Sequence, residues 1–260
     1  MVDLMSLENK KTGSIELPKV FAEEIDPELV RRAYLTEESK KFQLKYTDPL
    51  AGKRKAAELT KRRRSYKTVY GGRTRTPKKT MSHIGTSFSY VGAVAPNTVG
   101  GRQAHPPRAE KVLVKKMNKK EMVLAIRSAI AASAVKELVS RFHSVAELAS
   151  FPLVLEDTIN QLSKTKDAKK ALVSVGLGGE LERIGERRLR AGKGKLRGRR
   201  YKIRLGPLLV TTDDSKITRA ARNLNVTVKK VDGLSIADVS HAGEPGRLII
   251  WTKGAIEALR

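Results

Sequence analysis

The chain has 260 residues, a formal net charge of +26 and no cysteine. This length allows one or two domains with hydrophobic cores, and the lack of cysteine excludes disulfides, thiolate metal sites and cysteine-based catalysis. No run approaches the roughly 20 apolar residues of a membrane-spanning helix. Residues 1–19 carry Asp3 and Glu8 and lack the apolar core of a secretory signal. We therefore expect a cytoplasmic protein without a membrane partner.

The first predicted helix follows Asp26-Pro27-Glu28, which has the composition of an N-cap, a first-turn proline and an acid that favours the helix dipole. Apolar residues at helical spacing continue it toward Phe42. A second helix begins at Asn118, which with Glu121 resembles a capping box. It extends to about Ser133, and its continuation to Phe142 stays open.

The C-terminal half alternates between short apolar runs and helical patterns. We predict strands at Phe151–Leu155, Leu208–Thr212, Val226–Val231 and Leu248–Trp251, and helices at Lys166–Val175, Lys216–Leu224 and from Lys253 onward. This alternation is typical of a mainly parallel sheet covered by helices. The predicted fold class is therefore α/β, with one globular domain made of residues 1–44 and 118–260.

Positive charge is concentrated in two segments. Residues 45–120 contain twenty Lys and Arg against three acids, and residues 183–204 contain eleven against one. The rest of the chain is nearly neutral. A cationic segment without its own core needs a polyanion to order against, and RNA or DNA is the obvious one.

The first basic segment, residues 45–117, shows no helical or strand periodicity and holds half of the ten prolines. Such a segment cannot bury enough surface to offset its ordering entropy, so we expect an extended loop inserted in the domain. Arginine grips phosphate in bidentate fashion, and tyrosine stacks on unpaired bases. The candidate RNA contacts here are Lys53, Arg54, Lys55, Lys61, Arg62, Arg63, Arg64, Tyr66, Lys67, Tyr70, Arg73, Arg75, Lys78, Lys79, Arg102, His105 and Arg108.

The second basic segment, residues 187–204, alternates cations with glycines in the manner of a clamp that follows a phosphate backbone. Its candidate RNA contacts are Arg190, Lys193, Lys195, Arg197, Arg199, Arg200 and Lys202. For the first segment the plain alternative is a disordered, solvated basic tail or a nuclear-localisation patch, and for the second it is an ordinary solvated loop.

Patterns for catalysis and cofactors are weak. Val173–Gly179 resembles a dinucleotide-binding turn, but the third glycine is replaced by Leu181, and the preceding residues favour a helix. The four histidines show no metal-ligand spacing, and Asp213-Asp214 fits a helix N-cap better than a catalytic pair. We therefore expect no enzyme activity, no cofactor and no metal. A nucleotide-binding α/β enzyme and a free-standing RNA-binding regulator remain as alternatives.

Several motifs in order resemble the universal large-subunit ribosomal protein L-four family, in its archaeal and eukaryotic form. They are Val99–Pro107 (VGGRQAHPP), Leu124–Ile130 (LAIRSAI), the block Arg190–Tyr201 and Ala220–Leu224 (AARNL). The similarity extends from Phe42 to Leu259. The lack of a long extension after Arg260 favours the archaeal form.

The resemblance implies a three-layer α/β domain on the outside of the large subunit and a long loop buried in ribosomal RNA (rRNA). In the family, the loop tip reaches the wall of the peptide exit tunnel, close to the ribosomal protein L twenty-two. The family's glycine- and arginine-rich tip matches Gly71, Gly72, Arg73, Thr74 and Arg75 here. Met81–Val94 departs from the family pattern, being more apolar and richer in serine. The implied partners are rRNA and neighbouring large-subunit proteins, and no homo-oligomer is expected.

Overall fold

A computed structural model describes residues 2–54, 57, 76–148, 150–212 and 216–259 of the chain. Its contacts divide the chain into two compact units. The first consists of Met1–Lys41 and Val114–Arg260, and the second of Phe42–Leu113.

The described residues of the first unit form a sheet of six strands. The strands are β1 (Val2–Met5), β2 (Lys11–Ile15), β5 (Leu153–Leu155), β8 (Leu208–Thr211), β9 (Thr227–Lys230) and β10 (Ile249–Thr252). Their order in the sheet is β2-β1-β5-β10-β8-β9. Only β2, at one edge, pairs antiparallel with its neighbour; the other pairings are parallel. The sheet is therefore mainly parallel, as predicted.

Both faces of this sheet are buried. Because side chains alternate along a strand, Leu153, Leu209 and Ile250 lie in one apolar cluster, whereas Val154 and Trp251 lie in the other. The first cluster is covered by helices α4 (Thr165–Leu172) and α6 (Ile217–Asn223), and the second by α1 (Pro27–Ser39), α2 (Lys119–Ser133), α7 (Ile236–Val239) and α8 (Lys253–Ala258). This arrangement is a three-layer α/β domain, and it confirms the predicted fold class.

Helix α1 begins as its sequence predicts. The Asp26 carboxylate accepts hydrogen bonds from the backbone N–H groups of Glu28 and Leu29, at 2.9 and 3.0 Å. Asn118 is likewise the N-cap residue of α2, but its side chain makes no capping hydrogen bond. Glu121 instead binds Arg32 on α1, at 2.7 Å. The predicted capping box is therefore wrong, because the carboxylate has a cationic partner on the neighbouring helix.

The remaining predicted elements are present with shifts of a few residues at their ends. A break at Val135 separates α2 from the short helix α3 (Lys136–Ser140), so α2 does not continue to Phe142. Strands β1 and β2 and helices α7 and α5 (Gly178–Gly185) were not predicted from the sequence. Within the described ranges, no helix is both long enough and apolar enough to cross a membrane.

The second unit contains a β-hairpin that was not predicted from the sequence. Strands β3 (Lys78–Ile84) and β4 (Ser87–Gly92) pair antiparallel around a turn at Gly85-Thr86. Gly85 has a φ of 56°, a conformation that glycine adopts at little cost. Strand β4 alternates serine with aromatic residues in Ser87-Phe88-Ser89-Tyr90, and this period of two is typical of a strand.

Candidate nucleic-acid interface

The second basic segment folds back on itself as a narrow ribbon. Its neck is the pair of two-residue strands β6 (Arg188–Leu189) and β7 (Tyr201–Lys202). The ribbon continues beyond the neck, because Arg190 N–H donates to the Arg200 carbonyl at 2.9 Å and its Nε donates to the Arg199 carbonyl at 3.0 Å. The predicted contact Arg190 thus has a structural role as well as a charge.

The tip of this ribbon is a turn that depends on glycine. Gly192 and Gly198 have φ values of 74° and 77°, which side-chain-bearing residues rarely adopt. The turn is closed by the Arg199 N–H, which donates to the Gly194 carbonyl at 3.1 Å. A Cβ atom at Gly194 would lie 2.7 Å from Cδ of Arg190, so the arginine side chain packs directly on this glycine. The alternation of glycine and cation therefore builds a compact tip that exposes charge.

Cations of the ribbon face solvent. Lys193, Lys195, Arg197, Arg199, Arg200 and Lys202 are all exposed. Among the described residues, only Arg183 and Arg204 of this region have a carboxylate partner, namely Glu180 at 2.7 Å and Glu186 at 3.0 Å. The Arg200 guanidinium lies 5.7 Å from the centre of the Tyr201 ring. The structure thus gathers all seven predicted contacts of this segment on one ribbon.

The base of the ribbon is attached to a buried charge cluster. The Glu180 carboxylate accepts two hydrogen bonds from Arg183, both at 2.7 Å, one from Nδ1 of His143 at 2.7 Å and one from the Ser144 N–H at 2.9 Å. Burial favours the neutral acid, but these donors outweigh it and lower the pKa of Glu180 to about 2. Arg183 also donates to the Leu205 carbonyl at 2.7 Å and so joins the two ends of the ribbon.

Further polar groups surround this cluster. Burial lowers the pKa of His143, although Glu180 opposes the effect. His241 stacks on Phe142 with ring centres 4.4 Å apart, and its burial and the nearby cations lower its pKa to about 4. Arg247, which is 2% exposed, donates to the Gly206 carbonyl and to Oγ1 of Thr227. Sequence patterns did not predict this cluster, because its members lie far apart along the chain.

Four predicted contacts in the first basic segment have defined surroundings. Lys53 donates to the Gly101 carbonyl at 2.7 Å, and Arg54 pairs with Asp48 at 2.7 Å. Gly101 is closely packed, since a Cβ atom there would lie 2.0 Å from the Ala95 carbonyl oxygen. Lys78 and Lys79 begin β3. The structure therefore brings Lys53 to the glycine pair that precedes the predicted contact Arg102.

Irregular backbone follows Gly101 and carries three further candidates, all of them exposed: Arg102, His105 and Arg108. The other candidates of the first basic segment lie outside the described residues: Lys55, Lys61, Arg62, Arg63, Arg64, Tyr66, Lys67, Tyr70, Gly71, Gly72, Arg73, Thr74 and Arg75. Asp213 and Asp214 also lie outside them.

The described residues do not support the metal and dinucleotide sites that were considered as alternatives. No group of three or more histidines and acids among them could hold a metal ion. The residues before Gly176 form helix α4 rather than a strand, so Val173–Gly179 lacks the strand-turn-helix context of a dinucleotide site. A cavity of about 580 Å³ does lie beyond the carboxyl ends of β5 and β10, but its charged lining residues are Glu156 and Asp157 against a single cation, Lys253. Two carboxylates there disfavour a phosphate ligand.

The fold and the ribbon define an α/β protein with a group of exposed cations on one projecting segment. A model of the ribosomal protein L4/L1 family matches residues 15–260, and the chain belongs to this family.

Its relatives place it with the archaeal form. The chain is 41% identical to the large ribosomal subunit protein uL4 of Nanoarchaeum equitans, over 100% of this chain and 97% of the relative. It is 39% identical to the uL4 protein of Methanosphaera stadtmanae, over 99% and 95% of the two chains. The uL4 protein of Pyrobaculum aerophilum is 42% identical over 95% of this chain and 85% of its own. The predicted family is confirmed.

Proposed function

We propose that this chain is a non-catalytic structural constituent of the large ribosomal subunit in the cytoplasm, and that it binds rRNA through its two basic segments. The observation that carries the proposal is the ribbon of residues 187–204, which projects exposed cations from a folded base, in a chain whose family match covers residues 15–260. The full-length similarity to large-subunit proteins supports the assignment to this subunit.

The mechanism is neutralisation of closely spaced phosphates. Arginine and lysine side chains on the ribbon release condensed counterions from RNA, so binding weakens steeply with salt, by about 0.7 to 0.9 log units per log unit of salt for each phosphate contacted. The deep groove of A-form RNA is hard for side chains to read, so recognition depends on shape more than on base sequence.

The first basic segment has a different part in this proposal. Residues 45–117 form a loop inserted in the globular domain of residues 1–44 and 118–260, and rRNA packs around this loop. Their tip, near Gly71–Arg75, approaches the peptide exit tunnel and the protein L twenty-two. The charge of this segment, twenty cations against three acids over residues 45–120, supports an RNA environment.

Sedimentation of cell lysate through sucrose gradients tests the proposal. We expect the full chain to migrate with the large subunit at moderate salt. It should stay there after a high-salt wash, because rRNA packed around the inserted loop retains the chain even when phosphate contacts weaken. A variant that lacks residues 50–110 should remain folded by circular dichroism and fail to enter mature subunits. Migration of the full chain at the top of the gradient at both salt concentrations would contradict the proposal and favour a free-standing regulator.

A further inference from the structure

The hairpin of β3 and β4 presents a row of aromatic rings to solvent. Phe88 and Tyr90 keep 47% and 45% of their surface exposed. Their ring centres are 6.0 Å apart and their planes differ by 23°. The His83 ring lies 5.6 Å from Phe88 in an edge arrangement. Exposed aromatic rings in a row are unusual on a surface that has no partner.

An irregularity in the pairing creates this row. Tyr90 lies opposite Thr80 and Phe88 lies opposite His83, with one extra residue, Met81, on β3 between the two pairs. Without that extra residue, strand alternation would turn Ser82 instead of His83 toward the face of Phe88 and Tyr90. The bulge therefore adds the third ring to this face.

The charge around the hairpin selects the partner. Residues 76–109 contain four Lys and Arg and no acid, and Lys78 and Lys79 begin β3 itself. An apolar protein surface would not require this charge, whereas a single-stranded nucleic acid offers phosphates to the cations and base planes to the rings. Base stacking on aromatic side chains is the general way in which proteins hold unpaired nucleotides.

We propose that the face formed by His83, Phe88 and Tyr90 is a stacking platform for unpaired bases of RNA. This inference rests on the proposed rRNA function and assigns a distinct contact to it: the ribbon binds phosphates, and the hairpin binds bases. Platform binding depends little on salt, because no counterion is released when a base stacks on a ring.

Binding of the full-length protein to two matched RNAs tests this inference. One is an unstructured single strand of about 12 nucleotides, and the other has the same backbone with abasic sites at its centre. Both carry the same phosphates, so their affinity ratio measures base contacts. We expect the wild-type chain to prefer the base-bearing RNA by about fivefold or more.

The double substitution Phe88→Ile with Tyr90→Ile should lower this preference and leave the salt dependence unchanged. Isoleucine keeps the strand propensity and the apolar bulk but has no ring face. The pair Phe88→Tyr with Tyr90→Phe keeps both rings and should keep the preference, which controls for folding of the hairpin. Ile84→Ala, on the other face and 86% exposed, should also keep it.

A preference that is undiminished in the double isoleucine variant would overturn the platform. The platform would also be wrong if the double isoleucine variant kept the wild-type preference and yet failed to enter the large subunit. That result would assign the face to a protein partner. Failure of the wild-type chain to bind either RNA would instead contradict the proposed function itself. These outcomes separate the two proposals.

Discussion

Arg183 holds the Glu180 carboxylate with two N–H donors, each 2.7 Å from an oxygen, one helical turn away on α5. The side chain of Glu180 is fully buried, and that of Arg183 is 17% exposed. The same guanidinium donates to the Leu205 carbonyl at the far end of the basic ribbon. One ion pair thus fixes both ends of the ribbon to the domain.

Replacement of Glu180 should destabilise the domain strongly. Glu180→Ala leaves Arg183 and His143 buried without their acceptor, and the expected loss in the free energy of unfolding is about 3–5 kcal/mol. Glu180→Gln keeps the shape and loses the charge, so about 1–3 kcal/mol is expected. Urea unfolding followed by circular dichroism measures both. As a control, Glu121→Ala breaks an exposed pair with Arg32 and should cost less than about 1 kcal/mol.

The isolated protein should lose stability in acid in two stages. The fold lowers the pKa values of His143 and His241, the latter from 6.5 to about 4, so the unfolded chain takes up protons first. Stability that is present above pH 6.5 is therefore lost as the pH falls toward 4. Glu180, lowered from 4.5 to about 2, adds stability above pH 4.5 that is lost as the pH falls toward 2.

A histidine variant tests the first stage. His241→Asn removes one of the two imidazoles whose pKa the fold lowers, so the urea midpoint should fall less between pH 7 and pH 4 than it does in the wild-type chain. His105→Asn, at an exposed position, should follow the wild-type curve. Identical pH profiles for all three proteins would contradict the assignment.

Arg247 should stabilise the domain by donating hydrogen bonds to uncharged oxygen atoms. Arg247 is buried, and none of the described carboxylates binds its guanidinium. The guanidinium instead donates hydrogen bonds to the Gly206 and Asp238 carbonyls and to Oγ1 of Thr227. Arg247→Met leaves these acceptors without a donor, with an expected loss of about 2–5 kcal/mol in unfolding free energy. Arg219→Met, at an exposed position on α6, should change it by less than about 0.5 kcal/mol. A comparable loss in the control would refute this role.

Charge on the ribbon should control the salt dependence of RNA binding. Substitution of Lys193, Lys195 and Arg197 by Gln should reduce the slope of log affinity against log salt by about 0.7 to 0.9 for each phosphate that the variant no longer neutralises. The control replaces Lys166, Lys169 and Lys170 on α4, which are equally exposed and change the net charge equally. Filter binding at several salt concentrations gives both slopes. Equal slopes for the two variants would show that net charge, not the ribbon, determines affinity.

Local signals made much of the fold predictable. Asp26-Pro27 begins α1 because the cap and the proline act within one turn. The parallel strands β5, β8 and β10 are buried on both faces, so they consist of continuous apolar residues that stand out in the sequence. Trp251, at the end of the predicted strand Leu248–Trp251, is fully buried.

Elements that depend on distant partners were not predictable in the same way. Strand β2 has the sequence KTGSI, whose strand propensity is weak, and it forms because β1 offers an edge. The ion pair of Glu180 and Arg183 has a local spacing, but His143 lies 37 residues away from Glu180 and no pattern joins them. Charge identified the two basic segments, yet only the structure shows that Arg190 packs on Gly194 at the tip of the ribbon.

The order of strands in the sheet sets a condition on synthesis. Strand β10 lies between β5 and β8, although it follows every other strand of the sheet along the chain. Both basic segments therefore leave the ribosome before β10 can pair with β5 and β8. During this interval the nascent chain has its cationic segments without a closed domain, and β5 and β8 carry unpaired backbone edges that invite aggregation. A high yield of soluble protein therefore requires that β10 is synthesised soon after β8, or that the exposed strand edges and cationic segments of the nascent chain are covered early.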